Sequence, residues 1–140
     1  MDAEAGVNAE TAGFLGQVLP AIVGTRLDNG TVQMNPAWYE YDDGYFWLNS
    51  WRGARWLARI ERNRQATLLM IDPKDMYRVV RAETRLVRTT TDGAVEHVNR
   101  LSQRYRGRPY RSAAPQQRVL IQLEPVRVLS QLGWRARAVR

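Results

Sequence analysis

Four arginines, Arg52, Arg55, Arg59 and Arg62, recur at spacings of three, four and three residues. On a helix that spacing gathers them into one basic stripe. The stripe follows Asn49-Ser50-Trp51, at the end of an aromatic-rich segment. A helix start offers free N–H groups and the positive end of the helix dipole, so anions bind there. Arg52 and Arg55 fall in the expected first turn, where a cation opposes that dipole. A bound anion would make sense of the placement, and Ser50 can add a hydroxyl donor. Arginine suits a phosphate because its planar fork can donate two parallel hydrogen bonds. For Arg59 and Arg62 a solvated helix face is an equally good reading.

Little else in the chain offers chemistry. There is no cysteine, which excludes disulfides, thiolate metal sites and cysteine nucleophiles. His97 is the single histidine, which excludes a multi-histidine metal site. It reads as a structural or surface residue. Asp42-Asp43-Gly44 reads as a turn and not as a catalytic carboxylate pair. No catalytic residue and no metal ligand is assigned. Arg104, Arg106, Arg108 and Arg111 fall on a basic stretch. That stretch is either solvated or a cover over the site that meets an acidic tail or substrate.

The chain has 140 residues, enough for one domain that buries about two-thirds of its unfolded surface. The net charge of +7 comes from 21 basic and 14 acidic residues, and Lys74 is the one lysine. A positive surface favours anionic partners: a phosphorylated cofactor, an acidic substrate or nucleic acid. Nucleic acid is the weakest of these, because the aromatic residues fall in expected core strands and do not interleave with the charge. No basic leader and no long apolar run is seen, so a cytoplasmic protein without a membrane segment is expected.

The elements that must position the arginines follow from periodicity. Ala9–Leu19 reads as a short helix with Thr11 as a possible cap, ended by Pro20. Ala21–Leu27 and Thr31–Tyr39 flank the turn Asp28-Asn29-Gly30. Tyr45–Ser50 is a third strand, and Arg52–Asn63 a helix with Trp56, Leu57 and Ile60 on its apolar side. Ala66–Ile71 is an unbroken apolar run, as in a strand buried on both faces. Met76–Thr89 alternates, with Met76, Val80, Ala82 and Leu86 on one face. Asp92-Gly93 opens a helix with Ala94, Val95, Val98 and Leu101 inward, stopped by Gly107 and Pro109. Arg118–Glu124 is a last strand that Pro125 interrupts. Trp47 and Trp56 read as core or dimer contacts, while Trp38 faces either a groove or the core. Tight hairpins require a largely antiparallel sheet, and curling hides its edges. The expectation is a mainly β (α+β) split β-barrel of six or seven strands with three helices. Its organisation is a tail and short helix over 1–19, a barrel over 20–130 and a basic tail over 131–140.

The order of these pieces resembles the pyridoxamine 5′-phosphate oxidase-like superfamily. The likeness is carried by Asp28–Tyr39, Arg52–Pro73, Tyr77–Val80, Val95–Leu101 with Tyr105-Arg106-Gly107, and Arg118–Val128. It is closer to the branch of deazaflavin-dependent enzymes that use coenzyme F420. The resemblance implies an oxidoreductase that uses F420, or else FMN, for hydride transfer to or from a small organic substrate. The alternative is a non-catalytic split barrel that carries a flavin or haem. It also implies a homodimer with the cofactor at the interface. Carried over residue by residue, the phosphate contacts are Asn49, Ser50, Trp51, Arg52 and Arg55. The ring would pack on Gln33, Met34, Asn35 and Pro36. There are two departures from the family pattern: Trp56 stands at a usually basic position, and Thr84 replaces a common glycine.

Overall fold

The computed structural model describes residues 7–112 and 116–133. The chain forms helix α1 (Ala9–Leu15), strands β1 (Ala21–Arg26), β2 (Val32–Ala37), β3 (Tyr39–Asp42) and β4 (Tyr45–Trp51), then helix α2 (Arg55–Asn63). Strands β5 (Gln65–Asp72) and β6 (Asp75–Thr90), helix α3 (Ala94–Arg106) and strand β7 (Arg118–Gln131) follow. The seven strands make one sheet in the order β2-β1-β5-β6-β7-β4-β3, and every pairing is antiparallel. The expected mainly β fold with seven strands and three helices is what forms.

The two edge strands, β2 and β3, are joined by one residue, Trp38. Ala37 and Tyr39 are therefore at most about 7 Å apart, two peptide steps, although they belong to opposite edges. The sheet has to curl to allow this, and it forms a half-barrel. The curl encloses Tyr39, Phe46, Leu48, Met70, Val80 and Ile121, none of which is more than 2% exposed. Each such side chain contributes roughly 1.5–3 kcal/mol. Helix α2 closes one side of the core with Leu57 and Ile60.

Turn chemistry sets the registers. At the β3–β4 turn Asp43 and Gly44 both have positive φ (54° and 80°), the conformation that matches the strand twist. At the β1–β2 turn the Asn29 side chain accepts from the Thr31 N–H at 2.9 Å.

Several boundaries differ from expectation. Helix α1 is capped by Asn8, which accepts from the Thr11 N–H at 2.8 Å, and Thr11 itself is buried. The helix ends at Leu15, well before Pro20, because Gly13 and Gly16 weaken it. Strand β5 alternates: Ala66, Leu68 and Met70 are buried while Thr67 is exposed. In β6 Met76 is exposed and Thr84 is buried, its hydroxyl donating to the Ala66 carbonyl at 2.7 Å. That bond gives the polar side chain a partner inside the sheet. Val95 is exposed on α3. Strand β7 runs through Pro125, where the pairing with β6 shifts register beside Thr84. Most of the expected basic tail, residues 134–140, lies outside the described residues. Among those described, no helix is long and apolar enough to cross a membrane.

Candidate functional site

The arginine corner starts where β4 leaves the sheet. The Arg52 N–H donates to the Gln117 carbonyl at 2.9 Å and the Ala54 N–H to Trp51 at 3.0 Å, making a tight turn before α2. Gly53 has φ +123°, and a Cβ there would lie 2.4 Å from Cζ3 of the Trp51 ring. Only glycine fits beneath that ring. The helix therefore begins at Arg55 and not at Arg52. Its cap residue is Ala54, which provides no side-chain acceptor, and no acidic residue stands in the first turn. The first N–H groups of α2 thus have no capping side chain.

The stripe divides by partner. Arg52 pairs with Glu61 at 2.8 Å, and Glu61 also accepts from the Thr89 hydroxyl at 2.7 Å. Burial pushes the Glu61 carboxyl up, but hydrogen bonds from Thr89 and Arg52 outweigh it and hold the group below its ordinary range. Arg62 pairs with Asp28 at 2.9 Å, and Arg59 donates to the Thr25 hydroxyl at 2.8 Å. Arg55 is exposed and has no ion pair among the described residues.

Ser50 is 2% exposed and lies on the core face of β4 with Phe46 and Leu48, whereas Asn49 points the opposite way. Among the described residues the Ser50 Oγ has no hydrogen-bond partner, and neither has the buried Oδ1 of Asn35 on β2. Gln33 and Met34 are exposed on the same edge strand, and Trp51 is 40% exposed.

A cavity of about 720 Å³ lies between α3, the β1–β2 hairpin and the start of β7. Of the expected site residues it takes in Pro36 and Asn49; Trp38, Trp56, Tyr105, Arg106, Tyr110 and Arg118 add to its wall. Gln33, Met34, Asn35, Ser50, Trp51, Arg52 and Arg55 are not part of that wall. Trp38 stacks on Tyr105 with ring centroids 5.5 Å apart, and the Arg106 guanidinium sits 5.0 Å from the Trp38 ring. The Tyr105 hydroxyl donates to the Leu19 carbonyl at 2.7 Å, which holds that ring pair in place.

Behind the cavity runs a chain of polar contacts. Asn49 Oδ1 accepts from Arg118 Nε at 2.9 Å. Asn49 Nδ2 donates to the Ala94 carbonyl at 2.8 Å and lies 3.1 Å from His97 Nδ1. His97 Nε2 lies 3.1 Å from Glu40 Oε1, and Arg100 binds the same carboxylate through Nε and Nη2. Burial pushes the Glu40 carboxyl up, but hydrogen bonds from His97 and Arg100 outweigh it and bring it down to about 2. His97 is 2% exposed, so it is structural and not a surface group. The sequence reading missed Arg118, Glu40 and Tyr105 as members of this region. One signal was present: His97 and Arg100 stand three apart on α3, on one face able to grip a single carboxylate.

A flavin or deazaflavin phosphate needs N–H donors, a cation and a hydroxyl. The uncapped start of α2 and Arg55 offer the first two, and five positions earlier Ser50 carries a buried hydroxyl that is unpartnered among the described residues. The residues present therefore fit the group, although Trp56 adds no charge.

A family model described as pyridoxamine 5′-phosphate oxidase matches residues 7–132. Among solved structures, one named F420 reductase is 21% identical over 88% of this chain and 98% of its own, with a TM-score of 0.78. A conserved hypothetical protein from Mycobacterium tuberculosis is 20% identical, covering 89% of this chain and 84% of its own, at TM-score 0.69. General stress protein 26 from Bacillus anthracis is 15% identical, covering 91% and 92%, at TM-score 0.63. These likenesses show the fold. No curated protein sequence matches.

Proposed function

Because the chain belongs to the pyridoxamine 5′-phosphate oxidase family, we propose that it is an oxidoreductase that binds F420, or else FMN, and acts on a small organic substrate. The observation that carries the reading is the corner at α2. There the helix starts without a capping side chain and the exposed Arg55 has no ion pair among the described residues, five positions after the buried Ser50 hydroxyl. A phosphate at that start would meet both the free N–H groups and Arg55. The similarity to a structure named F420 reductase is the reason for placing F420 first.

When bound, the cofactor supplies the hydride chemistry. The chain's own work is binding, orientation and exclusion of water. Arg55 and Arg52 would hold the phosphate, with Ser50 donating. The exposed edge from Gln33 to Pro36 would offer backbone groups to the polar rim of the ring; Pro36 donates no N–H. Trp38 and Tyr105 would keep water from the cavity side. A second copy of the chain would complete the groove at the β2 edge, which one chain leaves open. The non-catalytic alternative with haem is less well supported. His97 has both ring nitrogens engaged by Asn49 and Glu40, so no imidazole is free to ligate iron.

The test is titration of the purified full chain with F420 and with FMN, followed by fluorescence and absorbance, together with sedimentation to read its mass. Saturable binding of one cofactor to a dimer is expected. Binding of neither would remove the reading.

A further inference from the structure

Arg118 is a half-buried cation with no carboxylate partner among the described residues. Arg52, Arg62, Arg78, Arg85 and Arg100 each meet an Asp or Glu within 3.2 Å. Arg118 instead makes neutral hydrogen bonds. Its Nε donates to Asn49 Oδ1 at 2.9 Å, and its Nη1 donates to the Tyr110 hydroxyl and to Gln116 Oε1, both at 3.2 Å. Its Nη2 is left without a partner among the described residues. Burial lowers the affinity of this guanidinium for its proton, the sign of a charge held at a cost. A buried cation is retained at such a cost where something compensates it.

The surroundings indicate what the compensating group is attached to. Arg118 lies over the Tyr110 ring at 4.8 Å, and Arg106 over Trp38 at 5.0 Å. Trp38 and Tyr105 are stacked within 14° of parallel. Aromatic rings and two cations in the wall of one cavity suit a flat organic ligand with a negative group. The guanidinium is also aimed in advance. Asn49 grips its Nε, and Asn49 is itself tied to the Ala94 carbonyl of α3.

We infer that this cavity binds a planar organic anion, with Arg118 as its charge anchor and Asn49 as the residue that positions it. Calling that anion the substrate rests on the oxidoreductase reading; the anion site itself does not.

The test titrates the full chain, without added cofactor, with two fluorescent probes of shared aromatic framework. One is the anion 1-anilinonaphthalene-8-sulfonate, the other the uncharged N-phenyl-1-naphthylamine. Arg118→Gln is expected to weaken the anion roughly ten- to a hundredfold and to leave the neutral probe unchanged. Arg118→Lys should recover part of the loss, since it keeps the charge without the fork. Equal anion affinity in the parent and in Arg118→Gln would overturn the site. Parallel loss of both probes in the Gln and Lys variants would overturn it too. Displacement of the anionic probe by FMN or F420 would overturn the assignment to substrate. Charge-selective binding in a protein that takes up neither cofactor would leave the anion site standing and remove the oxidoreductase reading.

Discussion

Asn49 Nδ2 lies 3.1 Å from His97 Nδ1, and this contact decides which ring nitrogen carries the proton. Arg118, a donor only, occupies Asn49 Oδ1, and the Ala94 carbonyl, an acceptor only, occupies Nδ2. The amide therefore presents a donor to the imidazole. Nδ1 must accept, and Nε2 must carry the hydrogen that Glu40 receives. Nitrogen NMR of histidine-labelled protein at neutral pH should show an unprotonated Nδ1 and a protonated Nε2. A spectrum with the proton on Nδ1 would contradict this assignment. Replacing the ring by His97→Ala should cost about 2–4 kcal/mol in urea unfolding, because Asn49 and Glu40 lose buried partners.

Glu40 makes the fold sensitive to acid. Its carboxyl titrates at about 2 in the folded chain against an ordinary value of 4.5. A lowered folded value means that the contribution is complete above the ordinary value. It is lost as pH falls from about 4.5 towards 2. Thermal melts of the parent should decline over that window more steeply than those of Glu40→Gln. Parallel curves for the two proteins would show that the carboxylate is not held by His97 and Arg100 as described.

Gly53 is replaceable only at a cost. A Cβ there meets the Trp51 ring at 2.4 Å, and φ is +123°. Gly53→Ala should destabilise the chain by about 1–3 kcal/mol. In a double-mutant cycle Trp51→Ala should remove the steric part and leave the backbone part. Additive costs would mean that the ring does not lie over the glycine.

Arg55 and Arg52 should not be equivalent in cofactor binding. Arg55→Ala is expected to weaken F420 or FMN by roughly ten- to a hundredfold. Arg52 is already neutralised by Glu61, so Arg52→Ala should cost less. Arg62→Ala, on a pair with Asp28 exposed at 70% on both sides, should change cofactor affinity little. An Arg55→Ala protein with unaltered affinity would place the phosphate elsewhere.

Local rules made much of the fold legible. The Asp43-Gly44 turn, the alternation of β7 and the glycine stop of α3 at Gly107 all follow from nearest neighbours. Where tertiary contacts overrule local preference, the reading slips. Trp51 folding over Gly53 shortens α2, and the partner carbonyl of Ala66 draws Thr84 inward. The site was legible as residue types and not as an assembly. Arg55 and Ser50 stand near each other along the chain, but Arg118 is 69 positions from Asn49, and His97 is 57 from Glu40. Nothing local marks such pairs, because sheet order brings them together.

The single-residue link at Trp38 has a consequence for synthesis. The margins of the sheet, β2 and β3, leave the ribosome early, as parts of two hairpins. The strands that lie between those hairpins, β5 to β7, are made later. Until β7 arrives, β6 and β4 each show the solvent a row of unpaired amides. A chain halted before residue 118 would hold two open templates for foreign strands, so premature termination should yield inclusion bodies and not a smaller barrel.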